Sequence, residues 1–271
     1  MKDRRPGATF RRWADSGAHP SPQSGRWIVA GLVLFLAVSG WGATFSEVSF
    51  KSGDESITAA WAAPEGAGPF PAVILVHEWW GLNDWVKQKG EELLKHGFAV
   101  LAVDLYRGRV TADPDEAHEL MRGLPDDRAI RDLAAAVDYV RGLPAARDRK
   151  IGVMGWCMGG GLALKLAIAH QDLSACVVYY GSLPTDRAAL NQIPCPVIGF
   201  FGAEDRGIPI KAVTEFEQTM LELNKQVTVK IYERAGHAFL NETRPSYNKA
   251  AATDSWKRAV TFLSNHLKTP R

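Results

Sequence analysis

Gly155-Trp-Cys157-Met-Gly159 sets a thiol between two glycines. The segment Lys150–Gly155 before it is apolar and suits a buried strand; Gly159–His170 after it is rich in small residues and suits a helix. Cys157 therefore falls at a sharp strand-to-helix turn, where side chains on the flanking residues would collide with backbone. A helix N-terminus carries roughly +0.5 of an elementary charge and favours an anion. The nucleophilic form of cysteine is the thiolate, and this position promotes it. The competing view is a cysteine that fills a small buried space. That view fits Cys176, inside a strand, and Cys195, between two prolines, but it leaves both glycines of the 155–159 segment unexplained.

A thiol nucleophile needs a base, and the base needs an orienting acid. Ala235-Gly-His237-Ala-Phe239 puts His237 in a loop after the apolar run Val227–Tyr232. Phe200-Phe-Gly-Ala-Glu-Asp205 puts an acid in the loop after the preceding run, with Glu204 as its rival. In the bland alternative, Asp205 caps the helix that starts near Pro209. His77-Glu-Trp-Trp-Gly81 ends an earlier strand and carries Glu78 to the same edge, either as a working group or as a salt-bridged structural one. The backbone N–H groups of Trp79 and Met158 are placed to stabilise an oxyanion. Ser182 is the rival nucleophile, but no G-x-S-x-G occurs.

The elements that must hold these residues alternate. Strands are expected at 71–77, 98–103, 150–155, 175–180, 196–201 and 227–232. Helices are expected at 84–96, 126–142, 159–170, 209–223 and 246–266. Continuous apolar strands between amphipathic helices imply a mainly parallel sheet covered on both faces. Residues 44–271 read as one domain of this kind.

The N-terminus differs. Residues 1–26 are rich in Arg, Ser, Pro and Gly and read as a disordered basic tail. Trp27–Ala43 is an uncharged run of 17 residues preceded by Arg4, Arg5, Arg11, Arg12 and Arg26. That layout fits a secretory signal, with Ala37-Val-Ser39 as a cleavage site, or an uncleaved membrane anchor. A buried helix is the third option. The first two place the domain in the periplasm; a cytoplasmic location is the alternative.

A net charge of +2 and the lack of a basic tract after residue 44 argue against nucleic acid. Three widely spaced cysteines form neither a zinc motif nor a disulfide scaffold. No metal or cofactor is called for; the expected partner is a small molecule.

Together, Glu78 in H-E-W-W-G, Asp104-Leu-Tyr106, the turn at Cys157, Asp205 and Gly236-His237-Ala-Phe239 resemble the dienelactone hydrolases (carboxymethylenebutenolidases) over residues 46–267. The resemblance implies an α/β-hydrolase fold and a Cys157–His237–Asp205 triad that opens an ester or lactone. It implies that Glu78 contacts the cysteine in the free enzyme and releases it when substrate binds. It also implies substrate contacts near Tyr106, with Arg107 or Arg109 taking a carboxylate. The family's second arginine, four residues after the histidine, is Asn241 here, and asparagine cannot form arginine's charged bidentate pair. That departure points to an ester or lactone other than dienelactone. A non-catalytic, tethered binding module on the same fold is the alternative.

Overall fold

A computed structural model describes residues 45–269. The tail and the apolar run of residues 1–43 lie outside the described residues. Within them, no helix is long and apolar enough to cross a membrane.

The chain opens with an antiparallel pair, β1 (Ser46–Ser52) and β2 (Glu55–Ala62). There follow β3 (Ala72–Val76), α1 (Asp84–Lys95), β4 (Ala99–Val103), α2 (Pro114–Arg122), α3 (Asp126–Gly142) and β5 (Ile151–Trp156). The second half runs α4 (Met158–Ala169), β6 (Leu173–Tyr179), α5 (Arg187–Leu190), β7 (Val197–Gly202), α6 (Ile210–Glu222), β8 (Val227–Tyr232) and α7 (Lys249–Leu267). The eight strands form one sheet in the order β1-β2-β4-β3-β5-β6-β7-β8, parallel from β4 to β8. This is the α/β-hydrolase architecture that the strand–helix alternation predicts.

The apolar runs become the central strands because each is buried on both faces. In β3, Ile74 and Val76 join the core beneath α3 and α4, while Val73 and Leu75 join the core beneath α1 and α7. Residues of one strand alternate between the faces. A fully buried side chain of this size contributes about 1.5–3 kcal/mol.

The β1–β2 pair and α2 are additions to the predicted elements. The Ala-Ala-Trp-Ala end of β2 has little strand propensity of its own. It becomes a strand by pairing with β4, Ala59 opposite Val103. α2 is short, and its start is set by Asp113, whose carboxylate accepts the Asp115 and Glu116 N–H groups.

Strand order reverses around β3, which lies between β4 and β5. Ligands of open α/β sheets bind outside the carboxyl ends of strands at such a reversal. The loops after β3, β5, β7 and β8 all leave the sheet at that carboxyl edge.

Candidate active site

Cys157 is the residue before α4 and has φ 53° and ψ −118°, a backbone strain of the kind that concentrates at functional sites. Its N–H bonds the Tyr179 carbonyl at 3.0 Å, and its carbonyl accepts from Gly160 at 3.0 Å. The flanking glycines are obligatory for packing. A Cβ on Gly155 would lie 2.0 Å from the Gly159 carbonyl oxygen, and one on Gly159 would lie 2.2 Å from that of Val76. The turn thus packs backbone on backbone, and the half-buried thiol faces outward. Cys176 and Cys195 are buried in the core, and burial pushes both thiols up, Cys195 to about 12.

His237 and Asp205 meet from adjacent loops, Nδ1 to Oδ2 at 2.7 Å. The other Asp205 oxygen accepts the N–H groups of Gly207 at 2.8 Å and Ile208 at 3.1 Å. Asp205 does not cap α6; Pro209 holds the cap position without a side-chain bond. Glu204, the rival acid, is exposed. Burial alone would raise the Asp205 carboxyl, but His237 and the two N–H groups hold it below its ordinary value. Burial alone would lower the His237 imidazolium. Hydrogen bonds to Asp205 and to Cys157, with their charges, instead raise it to about 10.

The sign of the stability effect follows. A histidine raised above its unfolded pKa of ~6.5 stabilises fully below that pH, and the contribution fades as pH rises through the folded value. The thermal midpoint is therefore expected to decline between pH 6.5 and about 10 by more in the native chain than in His237→Gln. Parallel profiles in a pH-resolved melting series would refute this coupling.

Glu78 is buried at 2% exposure. Its Oε2 accepts from Asn241 Nδ2 at 2.8 Å, while Oε1 has no hydrogen-bond partner. Burial raises its carboxyl, opposed by Asn241, Arg244, His237 and Tyr180. The resemblance led to the expectation of a Glu78–Cys157 contact in the free enzyme. Here the glutamate is bonded to Asn241 instead.

The four residues expected to contact substrate all have partners within the protein. Asn241 is fully buried, and both ends of its amide are engaged. Nδ2 serves Glu78, and Oδ1 takes the Thr243 N–H at 3.0 Å and hydroxyl at 2.7 Å. Arg107 pairs with Glu55 at 2.9 Å and with Asp132 at 2.8 Å. Asp132 is itself completely buried, and a buried carboxylate requires a cationic partner. Arg109 is well exposed and pairs with Glu116 at 2.7 Å. Tyr106 is buried, its hydroxyl on the Met158 sulfur at 3.2 Å; it supports the turn from below.

If Asn241 holds Glu78 rather than substrate, Asn241→Ala should lower the thermal midpoint. Removing one partner of a buried polar pair costs about 1–3 kcal/mol. In a domain this size each kcal/mol shifts the midpoint by about 2–4 °C. An unchanged midpoint with a raised KM would restore the substrate-binding role.

Three supporting residues were given no role by the sequence. His77 is fully buried; its Nδ1 donates to the Glu78 carbonyl at 2.5 Å while Nε2 accepts the Leu105 N–H at 3.3 Å. It ties the loop after β3 to the loop after β4, and burial keeps it neutral. Tyr180, at φ 38°, lays its ring 5.1 Å from His237 and turns its hydroxyl toward Glu78. The Arg244 guanidinium stacks 3.7 Å from the centre of the Trp80 ring. The β-strand signal around Tyr180 was readable; its approach to His237 was not.

Cys157 and His237 face a cavity of about 310 Å³, a small ligand pocket by usual standards of ~300–1,000 Å³. Ser182 lines it as well. A larger groove of about 530 Å³ between α1 and α7 holds none of these groups. Among the described residues, neither the Met158 nor the Trp79 N–H is taken by a protein acceptor. Met158 is the first helical residue, where an N–H has no partner inside the helix. No cluster of His, Cys, Asp and Glu among the described residues could hold a metal. The cavity gathers a thiol, an imidazole and the Met158 N–H in one place.

Comparison with known proteins agrees with this architecture. Residues 57–267 match the family model "Dienelactone hydrolase family". A protein of Methylorubrum extorquens named "Putative carboxymethylenebutenolidase" is 31% identical, covering 82% of this chain and 81% of its own. One of the same name from Saccharolobus solfataricus is 32% identical over 80% and 97%. Among solved structures, a "putative dienelactone hydrolase" of Klebsiella pneumoniae superposes with a TM-score of 0.75 at 27% identity, covering 81% and 98%. The dienelactone hydrolase-like promiscuous phosphotriesterase P91 superposes with 0.77 at 24% identity, covering 83% and 99%, a likeness of fold. With the family model spanning most of the chain and relatives above 30% identity on either side of it, this chain belongs to the dienelactone hydrolase family of α/β-hydrolases.

Proposed function

We propose that this chain hydrolyses carboxylic esters or lactones, with Cys157 as nucleophile, His237 as acid–base and Asp205 as its orienting partner. The observation that carries the reading is the 2.7 Å Asp205–His237 bond beside a thiol on a strained turn. Asp205 on Nδ1 leaves the other ring nitrogen for the thiol, the division of labour a triad requires.

The thiol gives its proton to His237, and the sulfur attacks the ester carbonyl. The Met158 and Trp79 N–H groups donate hydrogen bonds to the developing oxyanion. When the intermediate collapses, the C–O bond breaks and His237 passes its proton to the departing alkoxide. Water then attacks the thioester, giving its proton to His237 and freeing the acid and the thiol. Glu78 is placed beside this path and held by Asn241.

Relatives bear names for lactone-opening activities, including a lactonase of Bradyrhizobium at 31% identity; carried to this chain, that supports the ester and lactone class. The basic-then-apolar layout of residues 1–43 supports export or tethering, so that the domain works outside the cytoplasm. An intact mass equal to the full 271 residues would exclude cleavage.

The test is turnover of a short-chain aryl ester by the purified chain, read with iodoacetamide labelling near neutral pH. Activity is expected to fall in step with modification of Cys157 alone. Full activity after stoichiometric alkylation would overturn the reading. Protonation of a departing alkoxide needs imidazolium, so kcat/KM on an alkyl ester is also expected to fall above about pH 10.

A further inference from the structure

We propose that the cavity selects an uncharged ester or lactone with an apolar substituent, and discriminates against substrates that carry a carboxylate beside the reacting carbonyl. This rests on the catalytic reading above and names its substrate class.

One wall of the cavity is apolar: Met121 and Leu124 from the end of α2, Leu162 from α4, and Ile208 after Asp205. Apart from the catalytic His237, which is paired with Asp205, its charged lining consists of Lys165 and Asp126, which pair with each other at 2.5 Å. The pair leaves no net charge to attract an anion. Lys165 also lies eight residues along α4 from Cys157, or about 12 Å at 1.5 Å per residue. Held by Asp126, its ammonium is not free to meet a carboxylate only a few atoms from the scissile carbonyl. The cations expected to serve such a carboxylate are committed elsewhere: Arg107 to Asp132 and Glu55, Arg109 to Glu116. An anion in this cavity would lose its hydration without gaining a partner, an unfavourable exchange.

An apolar substituent gains from the same surface. Each methylene moved from water onto the wall is worth about 0.8 kcal/mol, or about fourfold in kcat/KM.

The experiment compares p-nitrophenyl acetate, butyrate and hexanoate with a p-nitrophenyl hemisuccinate, using the full chain. The neutral series is expected to rise in kcat/KM by about two- to fourfold per methylene until the cavity is filled. The hemisuccinate is expected to fall about a hundredfold below butyrate. Asp126→Asn, an exposed change at the first turn of α3, removes the carboxylate that holds Lys165. It should narrow the hemisuccinate-to-hexanoate gap by about fivefold, the scale of an exposed charge pair. Reading the ratio within each protein cancels any change in overall activity. Hemisuccinate turned over as well as butyrate, or a flat chain-length series, would overturn the proposal while leaving the catalytic reading intact. Loss of turnover on every ester in the native chain would overturn that reading, and this proposal with it.

Discussion

Cys157→Ala is expected to lower kcat/KM for any ester this chain accepts by about 10⁴- to 10⁶-fold, with the fold unchanged. Removing the nucleophile of a triad leaves only binding and oxyanion stabilisation, and losses of this order follow. The alanine is tolerated because the strain at position 157 belongs to the backbone, and the change removes a single sulfur atom from a half-buried side chain. A matched thermal midpoint beside the lost turnover separates chemistry from folding. Cys176→Ala provides the opposite pattern. Its side chain is fully buried in the core, so it should lose stability and keep its rate. Turnover by Cys157→Ala within tenfold of the native chain would remove the thiol from the mechanism.

Gly159→Ala should destabilise the chain strongly, although it adds a single methyl group. The added carbon would sit 2.2 Å from the Val76 carbonyl oxygen and 2.5 Å from that of His77. Neither neighbour is a flexible side-chain end; both belong to the buried end of β3. α4 must therefore lift away from the sheet, taking with it the Met158 N–H and the Cys157 turn. Overpacking of this kind costs about 3 kcal/mol or more, which in a domain this size lowers the thermal midpoint by about 6–12 °C. Activity should fall with it, because the donors and the thiol move together. Gly142→Ala is the control: nothing lies within 4 Å of its added carbon. There the midpoint should hold or rise slightly, since alanine restricts the unfolded chain more than glycine does. Equal midpoints for the two variants would show that α4 can shift freely on β3.

The central strands were legible because burial on both faces writes a continuous apolar run into the chain, as in Ala72–Val76 and Ala99–Val103. The turn at Cys157 was legible for a related reason. Backbone touching backbone admits only glycine, so the packing leaves its mark at Gly155 and Gly159. The chain order of Cys157, Asp205 and His237 and their positions after successive strands followed from the same alternation. The outer pair was harder to read: β1 is half exposed, and β2 is made a strand by its neighbour β4.

What the amino-acid order could not decide was the partner of each polar side chain. Arg107 and Arg109 follow Tyr106 and read equally well as substrate ligands. Only the folded chain brings Asp132, 25 positions beyond Arg107, into a dry interior where it claims that guanidinium. Asn241 likewise meets Glu78 across a sequence separation of 163 residues. Tyr180 carries no motif, yet its ring packs on His237 and its hydroxyl turns toward Glu78. The sequence by itself determined the sheet, the turn and the residue types available for chemistry, because these depend on local periodicity and on steric exclusion near the chain. The tertiary structure alone decided which charges are free and which are spent, because a buried charge takes whichever partner the fold brings within reach.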